Sequence, residues 1–496
     1  MKPISRRRAI QLGGLGLAGT VLGGIGLGRA VTAPLDPVSG ATLVEPEALR
    51  STGGELRVRL EAAEGRVRVA GRTATTLGYN GGVPGPTLHL LPADRLRVQL
   101  VNRLNAPTNL HVHGLHVSPE GSGDNAFVRV DPGAYFDYDY QLPEDHPPGV
   151  YWYHPHHHGL VADQVFGGLY GAITVGDRDP LPVTRERVLV ISDTSLDGSG
   201  RIRPASTMAR MLGREGELVL VNGQTRPRLT ARPGERERWR IVNACTARYL
   251  RLRLDGQELQ LLGMDSGRLP TPRDVEEIVL APGNRADLLV TTGEGASQLR
   301  TLPYDRGEMM GMTDGGDSSF DGPGMPGMGT GSQGSADSDG TVLATLDVTG
   351  PAVPALPPVP ARPAPRDLRG TAVAGRRELT LAMGMGGGGM RFTIDGKEFD
   401  PDRVDQAVRV GTVEEWTIAN TSPMDHPLHL HVWPMQVIER DGRPVDAATW
   451  QDVVNVPTRG SVKVRVSFDT FGGRTVYHCH ILDHEDSGMM AVINAR

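Results

Sequence analysis

The sequence predicts an all-β protein of three consecutive sandwich-type domains, and three observations carry that expectation. Short apolar–polar alternations recur, as in Leu56-Arg57-Val58-Arg59-Leu60 and Leu96-Arg97-Val98-Gln99-Leu100. A period of two buries one face of a strand, whereas a helix would need 3.6. Glycine and proline are abundant, at 65 and 38 residues, and aromatic residues make up only 5%. Frequent turns between short strands follow. The 496 residues suffice for about three domains at ~150 residues each. A net charge of -6 with 22% charged residues leaves no basic footprint for nucleic acid and no acidic tail.

The chain opens with Ser5-Arg6-Arg7-Arg8-Ala9-Ile10 and a glycine-rich apolar run, with small residues at Ala30 and Ala33. A charged start, an apolar middle and a small-residue end make a signal peptide over residues 1–33. The paired arginines resemble a twin-arginine signal, which implies export to the periplasm or beyond the cell. The run is broken by glycines and falls short of the ~20 apolar residues a membrane span needs, so no stable membrane insertion is expected. A polar lead-in occupies residues 34–54, and the first domain is placed at 50–180. Residues 181–350 read as a second sandwich from strands such as Arg187–Ile191, Trp239–Val242 and Ala286–Val290. It holds no histidine and is expected to act as a spacer. Within it, residues 307–340 turn to Gly, Met, Ser and Asp, with Met309, Met310, Met312, Met325 and Met328. The plainer reading is a loop; the functional one is a thioether patch for Cu(I). A proline-rich linker spans 351–370, and a third β-rich domain spans 371–496. Near its start, Met383, Met385 and Met390 surround Gly386–Gly389.

The chemistry lies in the histidines. Ten of the 15 fall into four clusters: His111 and His113; His154 and His156; His426, His429 and His431; His478, His480 and His484. No histidine lies between Gly159 and Asp425. Each cluster includes a His-x-His pair, read as two side chains on one face of a strand. The last is His478-Cys479-His480, where alternation points Cys479 one way and both histidines the other. The segment is expected to run from a strand into a loop. A thiolate, two histidines and a distant methionine are the ligands of a blue-copper centre. His484 and Met489 follow Cys479, and His426 is the free member of its group. Eight imidazoles remain, four from the first domain and four from the third, which suits a three-copper cluster where those domains meet. The only other cysteine, Cys245, ends an apolar strand. A disulfide between the two would defeat the metal reading; a small buried hydrophobe is the expectation for Cys245.

The motifs His111-Val112-His113-Gly114, His154-Pro155-His156, His426-Pro427-Leu428-His429-Leu430-His431 and His478-Cys479-His480-x3-His484-x4-Met489 resemble those of the multicopper oxidases. The chain is most similar to bacterial three-domain laccases with a Met-rich loop after a run such as Leu302-Pro303-Tyr304-Asp305-Arg306-Gly307. The resemblance implies three cupredoxin-like Greek-key domains and four coppers per chain. Cys479, His426, His484 and axial Met489 would hold the type 1 copper, and His111 and His429 the type 2 copper. His113, His154 and His480 would hold one type 3 copper, and His156, His431 and His478 the other. The implied reaction is four one-electron oxidations coupled to reduction of O2 to water, by a monomer. Its reductant is a phenol, an aromatic amine or Cu(I), and Met424 beside His426 favours some Cu(I) activity. Proton delivery needs acids. Glu485 matches the family's acid in the fourth motif, Asp124 is placed after the first motif at a longer spacing, and Asp483 is a further candidate. His157, His158 and His116 read as surface or supporting residues, and His89 and His146 carry no signal. Two other classes fit less well. A non-catalytic cupredoxin would have lost ligands, and a copper nitrite reductase lacks eight cluster histidines.

Overall fold

The structure is a computed structural model that describes residues 39–307, 339–386 and 389–496. The signal peptide over 1–33 and Met309, Met310, Met312, Met325 and Met328 lie outside the described residues.

Strands dominate, in six sheets among the described residues. Alternation explains their faces. In Glu55–Val69, Leu56, Val58 and Leu60 are buried while Arg57 and Arg59 are exposed. This strand runs parallel to Arg95–Asn102 with Leu56 opposite Leu96, so the buried sides match. The sheets pair face to face around three apolar cores. In the first, Leu60, Leu96, Leu100 and Tyr138 of a four-stranded sheet meet Val112, Tyr153 and Ile173 of a five-stranded one. The second packs Leu189, Trp239, Ile241 and Leu288 against Leu252, Leu299 and Leu346. The third packs Leu379, Trp416 and Val464 against Leu428, Tyr477, Cys479 and Ile493. Each fully buried Leu, Val or Ile contributes roughly 1.5–3 kcal/mol, so these cores carry the fold. No described helix is long and apolar enough to cross a membrane.

Three local expectations are revised. The polar lead-in contains a strand, Ala48–Arg50, which pairs in parallel with Thr87–Leu90. Backbone pairing at a sheet edge needs no apolar pattern, so its sequence gave no signal. The strand Gly473–Cys479 runs into a short helix, Leu482–Asp486, rather than a loop. His156 lies beyond its strand, which ends at His154, His431 lies beyond His426–Leu430, and His480 lies just past Cys479, where its strand ends. The proline-rich segment has no regular element but is fastened down. Arg362 N donates to Pro270 O, Trp450 Nε1 donates to Arg366 O, and Leu368 is buried.

The central and third sandwiches are joined beside the Leu482–Asp486 helix by a buried ion pair. Arg214 Nη2 lies 2.5 Å from Asp483 Oδ1, and Arg214 Nε lies 2.9 Å from Oδ2. Removing one partner leaves the other charge buried and uncompensated, which costs about 3–5 kcal/mol. Arg214→Ala is therefore expected to lose that much stability, as measured by urea denaturation. A loss below about 1 kcal/mol would mean water reaches Asp483.

Candidate metal centres

Strand Gly473–Cys479 lies between His426–Leu430 and Met490–Ala495. Cys479 is opposite Leu428 and faces the apolar core, while His478 is opposite His429 and faces away from it. Cys479 Sγ is 3.4 Å from His426 Nδ1 and 3.9 Å from His484 Nδ1. Ile481 N points at the sulfur from 3.4 Å. Met489 is buried in the same core, its N–H donating to His484 O and its carbonyl accepting from Cys479 N. Cys245 and Cys479 are both free, so the disulfide alternative does not hold.

The far nitrogens of both imidazoles are engaged. Ser422 Oγ lies 2.7 Å from His426 Nε2 and within donating distance of Asn420 Oδ1 and Met424 O. The hydroxyl therefore accepts from Nε2–H, and the lone pair on Nδ1 faces the sulfur. His484 Nε2 donates to Met211 O at 3.2 Å, with the same result. Phe392 stacks on His484 at 4.4 Å between centroids. Burial lowers the pKa of His426 to about 3 and of His484 well below 6.5, while it pushes the Cys479 thiol far up. Two neutral imidazoles thus flank a thiol that ionises only beside a cation.

On the other face, His111, His113, His154, His156, His429, His431, His478 and His480 are all buried together. His156 Nε2 lies 3.0 Å from His478 Nε2 and 3.2 Å from His431 Nε2. His111 Nε2 lies 3.3 Å from His429 Nε2. Donor atoms converge within 4.8 Å in the sets His111, His113 and His154; His111, His429 and His431; and His156, His431 and His478. His480 lies alongside, its ring centroid 4.9 Å from that of His113 and 5.7 Å from that of His154. Most rings turn Nδ1 outward. His111 Nδ1 donates to Asp124, His154 Nδ1 to Pro155 O, His429 Nδ1 to Asp452 O and His478 Nδ1 to Cys479 O. His113 is reversed, with Nε2 at 3.0 Å from Asp452 Oδ1.

These residues fit copper. His113 Nδ1, His154 Nε2 and both nitrogens of His480 are buried without a hydrogen-bond partner among the described residues. Each such group costs about 1–3 kcal/mol if left unsatisfied. Burial keeps all eight rings neutral, lowering His156 and His478 to about 4 and the others well below the usual 6.5. Converging neutral imidazoles suit copper ions and leave them open positions.

The acids separate by position. Glu485 Oε2 is 3.1 Å from His478 Nδ1 and Oε1 is 3.4 Å from His156 Nε2, neither in an aligned hydrogen bond. Burial raises its pKa to about 7. Asp124 accepts from His111 Nδ1 at 2.9 Å and lies 3.5 Å from His431 Nδ1, so the long spacing still brings it to the cluster. Asp483 is turned away onto Arg214. His116 donates to Val432 O, His146 accepts from His116 N, His89 meets Thr174, His157 meets Arg129 and His158 lies on Phe399. Sequence reasoning missed Ser422, Asp452 and Arg285. An acid in the apolar run Gln451-Asp452-Val453-Val454 was the one available signal.

Family models described as multicopper oxidase match residues 61–180, 151–298 and 373–496. A multicopper oxidase of Staphylococcus haemolyticus is 28% identical, with 90% of each chain covered. A Bacillus subtilis laccase is 26% identical over 83% of this chain and 88% of its own. Among solved structures, a Campylobacter jejuni multicopper oxidase described as a metallo-oxidase superposes with a TM-score of 0.79 and 29% identity, covering 94% of this chain and 98% of its own.

Ser422→Ala removes the acceptor of the buried His426 Nε2–H, which costs about 1–3 kcal/mol. The copper-free variant should unfold at correspondingly lower urea; an unchanged midpoint would show that Ser422 does not hold the ring.

Proposed function

Because this chain belongs to the multicopper oxidase family and is a copper-dependent oxidase, we propose that it works as a laccase-like enzyme with four coppers. Cys479, His426, His484 and Met489 would hold one, and His111 and His429 a second. His113, His154 and His480 would hold a third, and His156, His431 and His478 a fourth. Bound copper would supply a one-electron acceptor at Cys479 and, at the histidine cluster, a site where four electrons drawn from the reductant, together with four protons, convert O2 to two waters. The observation that carries this reading is the one strand with two chemical faces. Cys479 Sγ stands 3.4 Å from His426 Nδ1, while the adjoining His478 puts Nε2 3.0 Å from His156 Nε2. One peptide link from Cys479 to each neighbouring histidine gives electrons a covalent route between the faces.

The protein's own groups handle protons. Glu485, with a pKa near 7, can hold a proton on Oε1 or Oε2 beside His156 and His478. Asp124 fixes the proton on His111 Nδ1. With all eight rings buried, Glu485 and Asp124 are the acids beside the cluster that would pass protons to it. For the reductant, similarity to a laccase supports phenols and aromatic amines. The arginines near the N-terminus support export through a twin-arginine route and action outside the cytoplasm.

The loaded protein should carry about four coppers per chain and a strong blue thiolate band. Cys479→Ser should abolish the band. Glu485→Gln should keep it while slowing O2 uptake by about 10²–10⁴-fold, the usual share of a general acid. A blue Cys479→Ser variant, or about one copper per chain without O2 uptake, would sink the proposal.

Cuprous oxidation is a second reading, favoured by thioethers beside the electron-accepting face. Met383 and Met390 pack on the third core with Phe392, which stacks on His484. Met385 pairs with Met390 and is 79% exposed. Steady-state kinetics of Met385→Leu/Met390→Leu, and of a deletion of residues 308–330, decide it. A fall of about tenfold in kcat/KM for Cu(I), with that for a phenol unchanged, is expected from soft-metal handling. Equal changes for both substrates would remove this reading.

A further inference from the structure

The central sandwich has no histidine, yet one of its side chains reaches the histidine cluster. Arg285 begins strand Arg285–Thr291 and is fully buried. Its Nη1 and Nη2 donate to Asp452 Oδ1 and Oδ2 at 2.5 and 2.7 Å, a two-pronged grip on one carboxylate. Nη1 also reaches Asp265 Oδ1 at 3.2 Å and Gly283 O at 3.3 Å. Nε donates to Val150 O at 3.2 Å, and the guanidinium lies over the Tyr151 ring at 5.6 Å. Val150 and Tyr151 belong to the strand that ends at His154. One side chain therefore grips residues of all three sandwiches.

Asp452 passes that grip to two histidines. Its Oδ1 accepts from His113 Nε2 at 3.0 Å, and its backbone carbonyl accepts from His429 Nδ1 at 2.8 Å. The first contact explains the reversed ring. With Nε2–H committed to the carboxylate, His113 presents Nδ1, the nitrogen left buried without a partner. Gly114 gives independent support. It has φ +85°, and a Cβ there would collide with Arg285 Nη2 and stand 3.0 Å from Asp452 Oδ2. The glycine of the His111-Val112-His113-Gly114 motif thus makes room for an arginine that arrives from another domain. A planar fork fixes the plane of its carboxylate, which the point charge of lysine cannot do.

We propose that Arg285 is a positioning residue of the oxygen-reducing centre: by clamping Asp452 it holds His113 with Nδ1 turned inward, and so sets copper retention at the cluster from the central sandwich. The inference rests on the copper reading above. It is specific to one face of the Gly473–Cys479 strand, so the blue Cys479 centre serves as an internal control for folding.

The test compares wild type with Arg285→Met, Arg285→Lys, Gly114→Ala and Asp452→Asn. Copper per chain and the blue band are measured during competition with a graded chelator, and circular dichroism follows thermal unfolding of each copper-free protein. In Arg285→Met the blue band should survive while cluster copper is held about 10–100-fold more weakly, the usual effect of removing a partner that orients a ligand. Arg285→Lys should restore only part of it, and Gly114→Ala should copy the loss. If Arg285→Met does not fold, Asp452→Asn, which keeps the shape of the carboxylate, decides by the same measurement. Wild-type retention of about four coppers in the folded variants would overturn the clamp and leave the copper reading standing. So would loss of the blue band in step with the cluster, because that is a general structural defect. Failure of the wild-type chain itself to hold cluster copper would strike both.

Discussion

The period of two in a β-strand is the constraint on which everything else depends. At residues 478 and 479 it forces a thiol into an apolar core and sends the His478 imidazole to the opposite side, where His480, one residue past the strand's end, joins it. The strand is itself held between His426–Leu430 and Met490–Ala495, whose own residues complete or flank the same sites. Register therefore does much of the positioning. His429 stands opposite His478, and His111 stands opposite His154 in the first sandwich. Slipping either pairing by one residue would turn every one of these side chains to the wrong face.

Register alone does not fix a ring. An imidazole still has two nitrogens and free rotation about its last bond, and here hydrogen bonds from the far side remove both freedoms. Ser422, Met211 O, Pro155 O, Asp124 and Asp452 each occupy one nitrogen. Two of these partners, Met211 O and Asp452, come from a different sandwich than the ring they hold. Met211 O belongs to the central unit and orients His484 of the third. Gly283, also central, packs so closely on the His480 ring that a Cβ would lie 2.9 Å from it. The expectation of a mere spacer is thus incomplete. The unit without histidines shapes both centres from outside.

What the sequence disclosed follows from this division of labour. The clustered histidines sit two residues apart because they share strands and turns, so they are legible as motifs even where, as with His156, His431 and His480, the regular strand has already ended. The sandwiches are legible because Leu56, Val58 and Leu60 alternate with arginines. The partners that orient the rings are not legible. Arg285 is 167 residues from Asp452, and Asp452 is 339 from His113. Nothing local ties them, and an arginine at the start of an apolar strand reads as a solvated end. The lead-in strand Ala48–Arg50 escaped for a related reason, since edge pairing is made by backbone groups that every residue carries.

Burial sets the remaining chemistry. In water these imidazoles would take protons near pH 6.5, and a protonated ring binds no metal. Packed together without solvent they stay neutral well below that, with His156 and His478 lowered to about 4. The sign of the linkage is then fixed. As pH falls from about 6.5 toward 4, the unfolded chain gains protons that the folded one refuses, so folding weakens in acid. A copper ion held by these rings would offset the cost of burying them, because it binds the neutral form that burial enforces, and would compete with protons in the same direction. The desolvation that makes the copper-free cluster costly is the same property that protects it from protons, and it makes metal occupancy part of the stability of the fold.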